Sequence, residues 1–305
     1  MPALIGFFGK TPRQGDFIRH NTGASIAAPF MSWLTKGAEI LGQAKEGLPS
    51  SPVGFLYAAP SHAEVLVGAF ISSSDSVGRA FPLAAFTTVD AKSIAQQYSA
   101  VPRAYDAFLH DAVGVLTSAA GHDQQSLAEL TDRLVPPPVS DLPALHSACR
   151  GELDGWTMAA FQSELGDQAG QHYYALHALL SACQPLRGKG PASSGIVTLE
   201  CPIVSPTMCT GWLELAMSAL QWPVPPSFFW TSGEPRHLLL SLGQPPAAVL
   251  NYIAGGDPNA AKKWPLQTKS AAAIAVARDK LSPEMRQAVD TLEGSFAQVL
   301  SAVKH

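Results

Sequence analysis

The sequence predicts an α+β fold with a central, largely antiparallel sheet flanked by helices on both faces. Several short runs are apolar at every position rather than at alternate positions, as expected for strands covered on both sides. Two of these runs are separated by only five residues, Ala59–Ala63, a link too short for a parallel crossover. Hydrophobic residues make up 47% of the 305 positions, so a chain of this length can bury a sizeable core.

The first 90 residues contain the clearest strand signals and one helix. The apolar run Ala3–Gly9 predicts a strand that ends in a loop rich in glycine. Apolar residues at helical spacing predict a helix from Pro29, with the proline at the first helical position. Three further strands are predicted at Val53–Ala58, Glu64–Ile71 and Phe81–Val89.

After residue 90 the pattern becomes mainly helical and strands return late in the chain. Two sheets in two small α+β units, or one sheet completed by distant segments, would both fit this order, and we favour the single sheet. The extended stretch Val135–Pro143 is the best internal break. The predicted elements are helices at 105–116, 126–134 and 212–220, a largely helical stretch at 144–182, and strands at 195–200, 227–230 and 237–242.

The predicted domain organisation is one α/β sandwich domain at 1–268, with an internal boundary or insertion near 135–195, and a helical extension at 269–305. In that extension Ser282 and Pro283 supply a helix start, and apolar residues then alternate by four and three. This spacing predicts one terminal helix that packs on its own domain. The alternative is an oligomer or partner helix that uses Leu292 and Phe296.

Composition excludes several classes of function. The formal net charge of −4 is spread without long runs of one sign, which argues against nucleic acid or an anionic membrane as partner. No apolar run approaches 18 residues, so we expect no membrane insertion. The four cysteines contain no C-x-x-C pair, which predicts buried free thiols in a reducing compartment. We therefore expect a cytoplasmic protein.

The stretch Gly9–Thr11 raises the question of a phosphate-binding loop. That motif requires a glycine five positions before Gly9, where this chain has Leu4. It also requires a helix that starts at the Lys-Thr pair, which Pro12 disfavours. A nucleotide-binding switch or enzyme built on a degenerate loop at Gly9–Thr11 is kept as the alternative function.

No set of residues in the sequence predicts catalysis, a metal or a cofactor. The chain has no G-x-S-x-G elbow and no H-E-x-x-H pair. His172 and His177 are five positions apart, so on a helix they point in different directions and cannot share a metal. We expect a non-enzymatic protein without catalytic residues, metal or cofactor.

Two loops concentrate charged residues and glycine: "GKTPRQGDF", with Lys10, Arg13, Gly15 and Asp16, and "SSSDSVGRAFPL", with Asp75, Gly78 and Arg79. The structural interpretation is that each aspartate accepts backbone N–H bonds in its own turn, that both glycines take positive φ, and that the second arginine pairs with either carboxylate. The functional interpretation is that the loops meet at one sheet edge and form a charged recognition surface.

These two motifs resemble the paired signature of the TagF (ImpM-like) proteins of bacterial type VI secretion. The first motif corresponds to G-[FY]-[YF]-G-K-x-P-x-x-G-D-F and the second to P-S-x-D-x-V-G-R-x-F-P-L. The later stretch "SFFWTSGEPRHLLLSLGQPP" resembles a third segment of that family. The resemblance covers roughly residues 4–255. The chain departs from the family in the serine-rich "ISSSDS" and in the segment 140–195.

The resemblance implies a cytoplasmic accessory protein that represses assembly or firing of the secretion apparatus after translation. It implies action by protein–protein binding, with type VI components as partners, among them the forkhead-associated scaffold protein of the same system. It implies no cofactor and no catalytic residue. Lys10, Arg13, Gly15, Asp16, Asp75, Gly78 and Arg79 are accordingly the candidate partner-binding or motif-loop residues.

Overall fold

The computed structural model describes residues 4–45, 47–166, 169–191, 197–231, 233, 236–256 and 262–303. Its strands are β1 Ile5–Gly9, β2 Ile18–His20, β3 Val53–Ala58, β4 Glu64–Ile71, β5 Leu83–Asp90, β6 Val197–Pro202, β7 Ser227–Thr231, β8 His237–Leu242 and β9 Lys263–Pro265. Its α-helices are α1 Ala27–Ala44, α2 Ala91–Ile94, α3 Val101–Ala104, α4 Asp106–Ser118, α5 Gln124–Thr131, α6 Leu142–Gly155, α7 Met158–Leu165, α8 Gln171–Cys183, α9 Pro206–Leu220, α10 Val249–Ile253, α11 Ala271–Lys280, α12 Pro283–Asp290 and α13 Phe296–Ala302.

The described strands form one sheet in the order β2-β1-β5-β4-β3-β7-β8-β6-β9. All neighbours pair antiparallel except β6 and β9, which run parallel. Strands from both halves of the chain meet where β3 pairs with β7. The predicted single, largely antiparallel sheet is confirmed.

Helices cover both faces of the sheet, as the uniformly apolar strands predict. Side chains of β3 alternate between the two faces: Phe55 and Tyr57 pack with α1 and α10, whereas Leu56 packs with the larger helical layer. That larger layer contains α4 to α9 and the C-terminal helices. Burial on both faces explains why these strands show no polar alternation.

The strands predicted in the first half of the chain agree with the structure to within about two residues. Along the whole chain, two short edge strands were not predicted. β2 and β9 have three residues each, too few for a periodic signal. Residue 3 of the first predicted strand and residues 195–196 of the predicted strand at 195–200 lie outside the described residues. β8 has the predicted bounds, and all six of its residues are buried.

Helix α1 begins at Ala27, two residues before the predicted start at Pro29. It joins distant parts of the chain through Trp33, which stacks on Phe229 of β7 at 4.9 Å between ring centroids. The Trp33 indole also donates a hydrogen bond to the carbonyl of Pro246 at 3.0 Å. The tryptophan-containing helix therefore ties the N-terminal strands to the β7–β8 region.

The prediction of one terminal helix is wrong. The apolar stripe from residue 285 to 303 is divided between α12 and α13, with a turn in between. A bridge between Thr157 and Ser295 holds this turn, and the Oγ of Ser295 caps α13 by accepting from the N–H of Ala297 at 3.1 Å. Both helices pack against the helical layer, so the stripe is a core face. The predicted extension thus folds onto the rest of the chain.

All four cysteines are free and buried, as predicted. Among the described residues, no helix combines the length and the apolar character needed to span a bilayer.

Candidate functional site

The two charged loops leave the sheet at the same end. Gly9, the last residue of β1, lies opposite Leu83 at the start of β5, and Ile71 at the end of β4 lies opposite the same leucine. Residues 10–17 and the connection 72–82 therefore begin side by side. We call these two segments together the motif-loop site. They lie at a strand end of the sheet, and the first of them leads into the edge strand β2.

Asp75 is the centre of the motif-loop site, and its side chain is fully buried. Its Oδ2 accepts hydrogen bonds from Lys10 Nζ at 2.9 Å and from Arg79 Nε at 2.6 Å. Its Oδ1 accepts from the backbone N–H groups of Val77 at 3.1 Å and Arg79 at 2.9 Å. A carboxylate offers about four lone-pair sites, so its bonding capacity is filled.

The electrostatics keep Asp75 ionised. Burial alone would raise the pKa of this carboxyl group, but the hydrogen bonds from Lys10, Arg79 and Val77 outweigh it and hold the pKa well below its usual range. A buried anion with four donors can neither take up a proton at neutral pH nor bind a substrate. Asp75 therefore acts as a structural anchor.

Further hydrogen bonds join the two loops. The Arg79 Nη2 donates to the carbonyl of Gly15 at 3.1 Å, and the N–H of Ser76 donates to the carbonyl of Gln14 at 3.1 Å. The hydroxyl of Ser73 donates to the carbonyl of Lys10 at 2.8 Å. The predicted meeting of the two loops is thus present, and the predicted pairing of Arg79 is with Asp75.

The two glycines differ from one another. Gly78 has a φ of +83°, as predicted, because the turn that presents the Asp75 carboxylate passes through the left-handed region. Gly15 does not have positive φ, so that part of the prediction is wrong. A Cβ added to Gly15 would have Ser76 Oγ as its nearest neighbour, at 3.5 Å, an ordinary contact distance. The local geometry does not require glycine at position 15.

Asp16 and Arg13 also differ from expectation. Asp16 is exposed and forms no hydrogen bond or ion pair within the described part of the chain, so the predicted backbone bonds in its own turn are absent. Arg13 is exposed, and its Nη1 donates to the carbonyl of Gly121 at 3.2 Å, after α4. The structure places Arg13 at the side of the site and brings Lys10, Asp75 and Arg79 together at its centre.

Two features of the motif-loop site were not predicted from the sequence: Gly9 and the aromatic contacts of Phe17. Gly9 has a φ of +149°, and a Cβ there would lie 2.2 Å from the carbonyl oxygen of Pro82. Only glycine fits where the two loops separate. The signal was present in the sequence, because Gly9 is part of the first motif.

Phe17 forms a fixed apolar platform on the surface. It stacks on Phe8 at 5.3 Å and meets Phe81 edge-to-face at 4.8 Å between ring centroids, yet stays 44% exposed. The Nζ of Lys10 lies 5.0 Å from the centroid of the Phe17 ring. In the second loop Val77 is 71% exposed. The site therefore presents two apolar side chains from loops whose polar groups are bonded to each other.

Lys10 and Thr11 do not form a phosphate-binding loop. Both residues are buried, and the Lys10 ammonium is bonded to Asp75. Thr11 opens a turn in which its carbonyl accepts from the N–H of Gln14 at 3.1 Å, with Pro12 at the second position. The backbone therefore turns where a phosphate loop would begin a helix.

The predicted partner residues of the tail are not on one surface. Phe296 is fully buried and packs against Trp156 and Phe161 at 4.7 and 5.1 Å between ring centroids. It cannot contact a partner, which corrects that prediction. Leu292 lies in the turn between α12 and α13 and is 46% exposed.

A buried acid in the helical layer also escaped sequence analysis. Glu214 on α9 accepts a hydrogen bond from the hydroxyl of Ser99, and its Oε1 lies 2.6 Å from the Nε2 of His146. In a hydrolase triad the serine hydroxyl bonds to the imidazole. Here serine and histidine both bond to the carboxylate, an arrangement of structural bonding. Within the described ranges, no group of three or more His, Cys, Asp or Glu residues is placed to hold a metal ion.

Comparison with known proteins identifies the part of the chain that carries the motif-loop site. Residues 6–135 match the family model of the TagF N-terminal domain, type VI secretion system-associated. The match contains both loops and ends at the start of the proline-rich break. No curated protein sequence matches the chain.

The fold has a counterpart among solved structures. The crystal structure of PA0076 from Pseudomonas aeruginosa PAO1 is similar with a TM-score of 0.50 and 17% sequence identity. The similarity covers 84% of this chain and 96% of that chain. At this identity the likeness concerns the fold, and it extends well beyond the 130 residues or so of the matched domain.

Proposed function

The chain belongs to the TagF family of type VI secretion system-associated proteins through residues 6–135, and we propose that it is a non-enzymatic, cytoplasmic regulator that represses assembly or firing of the apparatus. It acts by binding another type VI component through the motif-loop site. The observation that supports this proposal is the exposed pair Phe17 and Val77, held on two loops that are clamped together by Asp75.

The clamp favours binding because it removes an ordering cost. Flexible loops lose conformational freedom when they dock, which weakens association. Here the ion pairs of Asp75 with Lys10 and Arg79 fix the loops before any partner arrives. Arg79 keeps a 65% exposed side chain, and Arg13 in the first loop is exposed as well. Aromatic residues and arginine are both enriched at the centres of interfaces.

Binding through the sheet edges is less suitable. At one edge, Gln124 of α5 donates to the carbonyl of Arg19 in β2 at 3.0 Å, so this helix covers the strand. At the other edge, β9 has only three residues and ends in Pro265, which lacks an N–H donor. In the described part of the chain, neither edge offers a partner strand a long unpaired row of backbone groups.

The alternative of a nucleotide switch at Gly9–Thr11 has no supporting observation. A phosphate would have to compete with the buried Asp75 carboxylate for the Lys10 ammonium. We expect no ATP- or GTP-dependent change in thermal unfolding at millimolar nucleotide, and a shift that is lost in Lys10→Ala would establish the alternative.

The test compares two matched double variants of surface residues. Phe17→Ser with Val77→Gln removes the apolar pair of the motif-loop site. Leu292→Ser with Val276→Gln removes two side chains of similar exposure, 46% and 54%, from the C-terminal helical region. Each is measured for type VI secretion when overproduced in the protein's own bacterium and for co-purification with the system's forkhead-associated scaffold protein.

We expect the wild type and the Leu292/Val276 variant to repress secretion and the Phe17/Val77 variant to lose repression. Binding to the scaffold should weaken at least about tenfold in the same variant, as expected when a central interface anchor is truncated. Full repression by a folded Phe17/Val77 variant would refute the assignment of the surface. Unchanged secretion on both deletion and overproduction would refute the regulatory function.

A further inference from the structure

A small hollow lies between the sheet and α4, at the strand end from which the two motif loops leave. It has a volume of about 180 Å³. A larger hollow of about 550 Å³ beside α9 adjoins it, because Asp106 and Trp230 line both. Pockets that hold whole small molecules have volumes of roughly 300–1,000 Å³, so the small hollow suits a single long side chain. Its lining residues are Pro52, Gly54, Ala69, Asp106, Leu109, His110, Val113 and Trp230.

Trp230 supplies the aromatic surface of the small hollow. It belongs to the third segment that resembles the family, which the motif-loop site does not use. Its backbone lies opposite Gly54 of β3, and a Cβ on that glycine would lie 2.4 Å from the indole Cε2. The absence of a side chain at this position lets the indole lie over the neighbouring strand. Trp230 is only partly buried and lines both hollows, so its ring is accessible to an incoming group.

Asp106 supplies the charge of the small hollow. Among the described residues that line it, Asp106 is the only Asp, Glu, Lys or Arg. The residue is exposed and forms no hydrogen bond or ion pair within the described part of the chain. In the larger hollow, the Nη1 of Arg103 donates to Glu152 at 2.6 Å, and Arg236 also has a partner. The small hollow therefore presents an unpaired carboxylate together with an accessible indole.

We infer that the small hollow binds an arginine side chain of a partner protein. Cations are attracted to the face of an aromatic ring, most strongly to that of tryptophan, so the guanidinium stacks on Trp230. Its N–H groups pair with the Asp106 carboxylate, for which a guanidinium has bidentate geometry. Its alkyl stem packs on Leu109 and Val113 of α4. Lysine fits less well, because its compact ammonium has neither a planar face nor paired donors.

The larger hollow favours a segment of protein over a free amino acid as the source of the arginine. Its lining includes Ile203 and Val204, and Val204 is 53% exposed. A free arginine would use the small hollow alone, whereas a peptide segment continues over this apolar surface and gains affinity from its burial. The formal net charge of −4 also favours the approach of a basic segment.

The inference rests on the proposed function only in that the occupant is a protein, because the small hollow and the motif-loop site use different residues. Both lie at the same strand end of the sheet. Gly54 pairs with Ala69 of β4, and the second motif loop begins where β4 ends at Ile71. One type VI component can therefore contact both surfaces.

The experiment selects ten-residue random peptides, displayed on phage, on the immobilised full-length protein, after removal of those that bind the Asp106→Asn variant. Selected peptides are synthesised with a fluorescent label, as selected and with lysine or the neutral analogue citrulline in place of arginine, and are titrated by fluorescence polarisation. The site variants are Asp106→Asn and Trp230→Leu. The matched control is Asp111→Asn, which removes an exposed aspartate of α4 that lines neither hollow. Thermal unfolding checks that each variant is folded.

We expect the selected peptides to share an arginine next to an apolar residue. Their affinity should fall at least about tenfold when citrulline replaces the arginine and in either site variant, and it should stay unchanged in Asp111→Asn. The loss of affinity in added salt should be larger for the wild type than for Asp106→Asn, because it reports the charge pair.

Three outcomes overturn the inference: a selection without an arginine consensus, equal affinity of the lysine and arginine peptides, or binding that Trp230→Leu does not change. Intact repression of secretion by a protein that shows no arginine-dependent binding would refute the inference alone. Arginine-dependent binding by a protein whose deletion and overproduction both leave secretion unchanged would refute the proposed function alone.

Discussion

The motif-loop site and the helical layer bury polar groups in opposite ways. In the motif-loop site, both oxygens of Asp75 accept two donors each. In the helical layer, Glu214 has an Oε2 without a hydrogen bond, and both ring nitrogens of His172 lack a partner within the described residues. In the motif-loop site, the charged groups hold the loops in place. In the helical layer, incompletely bonded polar groups lie inside a packed apolar core.

This difference separates positions where charge specifies the structure from positions where packing does. Helices α8 and α9 are held by continuous apolar contacts, so a polar group there changes stability without changing the path of the chain. The two loops pack on a smaller apolar cluster, Phe17 and Phe81 against Phe8, and Asp75 with its donors sets their course. Substitutions that keep shape but remove charge should therefore affect the two regions unequally.

The largest effect is expected for Asp75→Asn. An amide group keeps the shape, but its NH₂ must face two donors whichever way it is turned, and two cations lose their counter-ion. We expect the midpoint of thermal unfolding to fall by roughly 5–10 °C and the repression of secretion to be lost. Differential scanning fluorimetry and the secretion assay measure both. An unchanged midpoint would mean that the clamp does not hold the loops.

The next effect is a pH dependence from His172. Burial lowers the pKa of this imidazole to about 4, which the charge of Asp290 only partly opposes. In the unfolded chain the pKa of a histidine is about 6.5. Between pH 6.5 and pH 4 the unfolded state therefore binds more protons than the folded state. The free energy of unfolding accordingly falls as the pH falls from about 6.5 to about 4. His172→Leu should remove up to about 2 kcal/mol of this loss at pH 4.5, measured by urea unfolding at several pH values. A parallel pH profile in wild type and variant would contradict it.

A smaller effect is expected for Glu214→Gln. The Gln carbonyl can still accept from Ser99 and lie against the Nε2 of His146, whereas the ion pair with Arg150, whose Nη1 lies 3.4 Å from Oε2, is lost. The Arg150 side chain is 40% exposed and can be hydrated instead. We expect a cost of no more than about 1 kcal/mol in the free energy of unfolding. A cost above that of Asp75→Asn would reverse the comparison between the two regions.

The same contrast explains how much could be predicted from the sequence. The motif-loop site could be predicted from the sequence because Asp75 accepts hydrogen bonds from the backbone of Val77 and Arg79, two and four residues away. Glu214 bonds to residues 68 and 115 positions away, and no local pattern reports such a partner. The buried strands could be predicted for a related reason, because an apolar run is visible within a few consecutive residues of the sequence.

Failures of prediction have the same physical origin. The break between α12 and α13 depends on Ser295, which bridges to Thr157 far away in the sequence. The apolar stripe continues across this break, so it predicted one helix where there are two. A cavity of about 550 Å³ was not predicted, because the residues that line it, among them Arg103, Val204 and Trp230, come together only in the folded chain. Strand β9 was not predicted because its sequence has no periodicity that indicates a strand. It is a strand only through its pairing with β6.

Effects from about 1 kcal/mol down to almost none separate the two glycines of the motif-loop site. Gly78 has a φ of +83°, so Gly78→Ala should cost about 1 kcal/mol by forcing a side chain into the left-handed region. Gly15 has neither positive φ nor a close contact, so Gly15→Ala should leave the free energy of unfolding within about 0.5 kcal/mol of wild type. Urea unfolding of both variants measures the difference. If Gly15→Ala folds normally yet binds its partner more weakly, glycine at position 15 serves close approach of the partner and not the fold of the loop.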